Sequence, residues 1–139
     1  QYLAAYSCIR QLSFGYLDMA WHGINENFTG NVIEFEKNAW KKTQLFPSID
    51  GCCMSTHFTH LFAGGYAAGY YGYKWAEVLD ADAFSVFQEA GGIDKTVASR
   101  FRDNILSKGG TEHPMELYIK FRGGKPQTNA LLKRDGIIK

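Results

Sequence analysis

Between His60 and Trp75 the chain holds one histidine, four tyrosines and four glycines in sixteen residues. Tyr66, Tyr70 and Tyr73 are spaced i, i+4 and i+7, so on a helix they would share one face. A phenol has a reference pKa of about 10 and stays protonated at neutral pH. Such a stripe can donate hydrogen bonds to an anion while carrying no charge itself. Gly64 and Gly65 stand just before it and suit a bend or a mobile loop, because glycine reaches backbone angles closed to other residues. Gly69 and Gly72 each cost a helix about 1 kcal/mol relative to alanine, so local stability does not explain them.

Other residues invite chemistry less strongly. His57 and His60 lie at i and i+3, with Cys52 and Cys53 nearby, which is the raw material of a metal site. The adjacent cysteines lack the usual two-residue gap, however, and no second ligand pair follows. Glu77, Asp80 and Asp82 would be spread around a helix, so a solvated or ion-paired face is expected in place of a paired-carboxylate site. Arg100, Arg102 and Arg122 each have the chemistry to clamp a carboxylate, but no pattern singles one out. The plain alternative for the tyrosines themselves is core packing with locally satisfied hydroxyls.

The elements that must position these residues read as helices punctuated by glycine and proline. Leu3, Tyr6, Ile9, Leu12, Phe14, Leu17, Met19 and Ala20 predict a helix from Tyr2 to about Trp21, with Gly23 as its stop. A second helix is expected from about Asn31 to Lys42, turning Val32, Phe35 and Trp40 inward. Residues 45–53 read as loop, and Met54 to Phe62 as a short helix ending at Gly64-Gly65. A long helix is predicted from about Ala67 to Ala90. Asp94 should cap another through Val97, Phe101 and Ile105. Pro114 opens the next, which Gly123-Gly124 ends, and Pro126 starts a last one containing Leu131 and Leu132. No strand-length alternation is present, so the chain is expected to be all-α, a single helical unit over residues 1–139.

Composition narrows the function further. Apolar residues make up 45% of the chain and aromatics 15%, the balance of a folded domain. A net charge of +1 offers no electrostatic case for nucleic acid or an anionic membrane. No apolar stretch approaches the roughly 20 residues that span a bilayer. Three cysteines do not make a disulfide framework, and reduced thiols in a cytoplasmic protein are the expectation.

The segments Phe58 to Tyr66, Ala67 to Tyr73 and Trp75 to Phe84 resemble the C-terminal signature of the thimet oligopeptidase family of zinc metallopeptidases. The likeness continues, in order and at the expected spacing, through Ile105 to Gly110, Pro114 to Tyr118 and Phe121 to Gly123. It covers about residues 54 to 137. Leu17 to His22 leans toward the family's peptidyl-dipeptidase branch. The resemblance implies a mainly helical zinc peptidase that hydrolyses short peptides, by releasing C-terminal dipeptides or as a closely related oligopeptidase. It implies that Tyr73 and Tyr66 hydrogen-bond the oxyanion of the tetrahedral intermediate, that His60 and Tyr70 contact substrate, and that Gly64 and Gly65 belong to a loop that closes over the peptide.

The family's metal motif, His-Glu-x-x-His, is not in this chain, since none of the histidines at 22, 57, 60 and 113 begins it. Zinc is therefore expected only in an intact parent, with ligands outside this chain. The chain, which opens on Gln1, reads as a C-terminal fragment of the catalytic domain. Its partners would be peptide substrates and the upstream part of the same polypeptide, and alone it would be inactive. The competing expectations are a non-catalytic helical interaction module and a metal-binding regulatory domain.

Overall fold

The computed structural model describes residues 2–139. Seven α-helices follow one another, with no strand among the described residues. The chain divides into two compact units, one ending at Lys74 and the other spanning Trp75–Lys139.

In the first unit, α1 (Ala4–His22) carries aromatic and acidic residues that contact later segments of the same unit. Phe14, Leu17 and Asp18 are its buried residues, one turn apart and therefore on one face. Gly15 does not interrupt it, and Gly23 caps it through an N–H donated to the Met19 carbonyl. The next helix, α2 (Val32–Ala39), starts at Asn31, whose side chain accepts from the Ile33 and Glu34 amides. Its most buried residue is Glu36, on the stripe shared by Val32 and Trp40. The predicted loop after it is present. The predicted Met54–Phe62 helix is instead two short pieces, α3 (Met54–His57) and a single 3-10 turn at Thr59–Leu61.

Glu36 explains how so short a helix persists. Its carboxylate accepts from the Met54 amide at 3.0 Å, the Ser55 amide at 2.6 Å and the Ser55 hydroxyl at 2.7 Å. It thereby supplies from another helix the cap that Cys53 does not provide. A negative charge is also favoured at a helix N-terminus. Trp21 Nε1 donates to the same Ser55 hydroxyl at 3.0 Å, tying α1 to this junction.

The long helix begins later than its pattern predicts. It runs as α4 (Gly72–Glu89), and residues 67–71 are turns. The Tyr66 and Gly69 carbonyls accept 2.8 and 3.0 Å bonds from the Gly69 and Gly72 amides, closing consecutive i to i+3 turns where an α-helix was expected. Ala68 has φ +56°, which no right-handed helix contains.

The second unit holds the rest of α4 together with α5 (Lys95–Phe101), α6 (Pro114–Arg122) and α7 (Asn129–Arg134). Val86, Val97 and Phe121 form its core, with Ala83, Phe87, Phe101 and Ile105 packed around them. A smaller cluster joins Val78, Ala81 and Leu131. Asp94 caps α5 as expected, accepting from the Thr96 and Val97 amides. Beyond Phe101 the helix widens into a π turn at Arg102–Leu106. Asn104 Nδ2 there donates to the Arg100 carbonyl at 2.8 Å, and side chains that bond back into the ladder disturb regular spacing. Pro114 occupies the first turn of α6, and Gly123 closes it at φ +83°. The last helix starts at Asn129, not at Pro126.

Asp82 is the least expected residue of this unit. It is buried, not on a solvated face. The Tyr118 hydroxyl donates to its Oδ2 at 2.7 Å, and Arg122 Nε lies 3.3 Å from the same oxygen. Burial, and then the bond to the Asp82 carboxylate, raise the Tyr118 pKa far above its ordinary value. The folded state thus holds this proton more tightly than the unfolded chain does. The resulting stability is fully present below the unfolded phenol pKa of about 10 and is lost as pH climbs toward the folded value. Stability should therefore fall above pH ~10, and Tyr118→Phe should flatten that fall, as alkaline denaturation followed by circular dichroism would register.

Candidate active site

The expected tyrosine stripe forms, but by tertiary contact in place of helical register. His60 stands on the 3-10 turn with its ring centroid 4.9 Å from Tyr66, 5.7 Å from Tyr70 and 6.3 Å from Tyr73. Tyr66 and Tyr73 stack at 5.5 Å with 17° between their planes. Tyr73 lies 5.1 Å from Tyr70. Beneath them Phe58 stacks on His60 at 5.0 Å and on Phe14 at 4.5 Å. One histidine and three phenols thus share a small aromatic platform footed on α1.

Their exposures separate their roles. Tyr66 and Tyr73 are 39% and 40% exposed, whereas Tyr70 is only 8% exposed. The Tyr70 hydroxyl donates to Gln11 Oε1 at 3.2 Å. Hydrogen bonding with Tyr66 raises the Tyr73 pKa above its ordinary value, and partial desolvation and the neighbouring phenols add to the effect. Tyr73 is accordingly a neutral donor at any physiological pH. Tyr71, 60% exposed, has no ring contact with the cluster.

Gly64 and Gly65 both have φ +77°. Side-chain-bearing residues rarely adopt that conformation, so a substitution at either position strains the loop. Tyr66 follows immediately.

Two acidic residues that support this platform carry no motif. Asp18 is fully buried. Its Oδ1 accepts from the Ala68 amide at 3.0 Å and its Oδ2 from the Tyr70 amide at 2.9 Å. His22 Nδ1 lies 3.0 Å from Asp18 Oδ1 and 2.8 Å from the Asp18 carbonyl. Two acceptors that close require the hydrogen on Nδ1, which leaves the Ala68 amide to Asp18. The other residue is Glu36, which caps α3 three residues before His60. A carboxylate in line with the apolar stripe of its helix was the available signal in both cases.

The remaining candidates do not join the platform. His57 is exposed, and Cys8, Cys52 and Cys53 are free thiols. Among the described residues no group of three or more His, Cys, Asp or Glu side chains could hold a metal ion. The residues present therefore do not fit a catalytic zinc site. Arg122 lies between Asp82 and Glu89, 3.3 Å from each. Arg102 pairs with Asp103 at 2.7 Å, and Asp80 with Arg134 at 2.7 Å. The Arg100 guanidinium lies over the Phe121 ring.

An all-α chain thus presents paired, half-exposed phenols beside a histidine, on a loop that follows two glycines. The model of peptidase family M3 matches residues 1–137, and the chain belongs to that family. The chain is 44% identical to oligopeptidase A of Escherichia coli over 98% of its length and 43% identical to oligopeptidase A of Haemophilus influenzae over 97%. It is 38% identical to a dipeptidyl carboxypeptidase of Escherichia coli over 95%. In each case it spans about one fifth of the relative, 20% of its length. The resemblance drawn from the tyrosine segment is therefore correct at the level of family.

Proposed function

We propose that this chain is the C-terminal, substrate-binding and oxyanion-stabilising part of a larger zinc-dependent peptidase that hydrolyses short peptides. The observation that carries the reading is the stacked, half-exposed pair Tyr66 and Tyr73 beside His60. When water adds to a scissile carbonyl, an electron pair moves onto the carbonyl oxygen. Two neutral phenols fixed beside that oxygen stabilise it with no reorganisation at the moment of reaction. His60 contacts the bound peptide from the adjoining turn. Tyr70 borders the site through its ring, against which Tyr73 rests, since its hydroxyl is held by Gln11. Gly64 and Gly65 form the hinge that lets Tyr66 close on substrate.

Zinc and its ligands belong to the part of the polypeptide beyond this chain, as does the general base. The higher identity to the oligopeptidase A relatives supports an oligopeptidase over a dipeptide-releasing enzyme. Free cysteines support a reducing, cytoplasmic setting. The test is hydrolysis of a short fluorogenic peptide by the full-length gene product and by the 139-residue chain, each with and without chelator. Chelator-sensitive turnover by the former and none by the latter is expected. Turnover by the short chain alone, or a full-length protein indifferent to chelator, would overturn the reading.

A further inference from the structure

Resting on that reading, we infer that Asp18 is the positioning residue of the tyrosine loop, a buried latch that fixes the downstream end of the segment carrying Tyr66. The geometry is specific. Each oxygen of one carboxylate takes one backbone amide, those of Ala68 and Tyr70, across 50 and 52 residues of chain. Asp18 has no exposed surface, so these amides and His22 are what satisfy its charge, and a buried carboxylate without such partners would be strongly disfavoured. His22 Nδ1 lies 3.0 Å from Oδ1, the oxygen that also takes the Ala68 amide.

The latch also accounts for Ala68. A non-glycine residue at φ +56° is unfavourable on its own and persists where surrounding bonds over-determine it. Here its own amide and that of Tyr70, two residues on, are both claimed by the same side chain. Upstream, Gly64 and Gly65 meet no such restraint, and a side chain at Gly65 would project into open space. Tyr66 therefore sits between a free hinge and a fixed anchor. Its reach is limited to the few residues between them, while Tyr73 stands on α4 beyond the anchor. Asp18 touches no substrate in this scheme and acts only through the backbone it holds.

The test combines amide exchange with kinetics on the full-length enzyme. In the unaltered protein the Ala68 and Tyr70 amides should exchange far more slowly than those of Gly65 and Tyr66, although Ala68 is itself exposed. Equal rates would overturn the latch, and this measurement needs no variant to fold. Asp18→Asn keeps the shape but offers one amide a donor where it needs an acceptor. It should speed exchange at Ala68 and Tyr70 and lower kcat by about 10- to 100-fold, with KM nearly unchanged. Tyr66→Phe and the double variant Asp18→Asn/Tyr66→Phe complete a cycle. A double variant no worse than Tyr66→Phe places Asp18's effect in Tyr66, whereas additive losses would show that it acts elsewhere and sink the inference. If Tyr66→Phe has full activity while the exchange pattern holds, the latch stands and the oxyanion reading fails.

Discussion

Tyr73→Phe should lower turnover of a short peptide by the full-length enzyme on the order of 100- to 1000-fold, the usual cost of one oxyanion donor. KM and melting temperature should hardly move. The change removes one hydroxyl from a ring that is 40% exposed, and the stacking on Tyr66 and contact with Tyr70 survive in phenylalanine. A donor used only as negative charge develops is lost from kcat and kcat/KM alike. The rival view of the stripe as packing predicts the reverse, a stability loss with turnover intact. Steady-state kinetics beside a thermal melt separates them, and a melt that drops while kcat holds would remove the tyrosine pair from the chemistry.

Phe121→Ala should destabilise the second unit by about 3 to 5 kcal/mol. Phe121 has no exposed surface and shares a cluster with Val86 and Val97. It meets Phe101 edge to face at 5.0 Å and Phe87 at 6.5 Å. Those rings are held on two separate helices, α5 and α4, so their collapse into the void would require shifting both elements together. Arg100, whose guanidinium lies 5.8 Å from the ring centroid, would lose that contact as well. Against the 5 to 15 kcal/mol that stabilises most domains, this is a large share. Urea denaturation should show the midpoint falling with an unchanged slope, and a shift below about 1 kcal/mol would mean that the core closes around the cavity.

Much of this could be read before any coordinates. The caps at Asp94, Pro114 and Gly123 depend on chemistry within a few residues, so local sequence suffices for them. The co-location of His60, Tyr66, Tyr70 and Tyr73 was legible too, but its mechanism was not. Helical spacing predicted a stripe that actually forms because turns bring Tyr70 against Phe58 and Tyr66 against His60. The turns at residues 67–71 are bonded to Asp18, some 50 residues away, and no local pattern carries a bond of that reach. Asp82 and Glu36 evaded the reading for the same reason. Their helical positions favour burial, but a carboxylate is buried only if distant partners arrive, and those partners are Tyr118, Arg122 and Ser55.

The Glu36 cap has a consequence for the order in which the molecule assembles. A four-residue helix is far too short to nucleate alone, and α3 borrows its N-terminal acceptor from α2. It can therefore form only after α2 exists and the intervening loop has closed, a step with its own entropic cost. The turn that presents His60 follows directly on α3. The first unit should thus acquire its long helix early and the turn that carries His60 late.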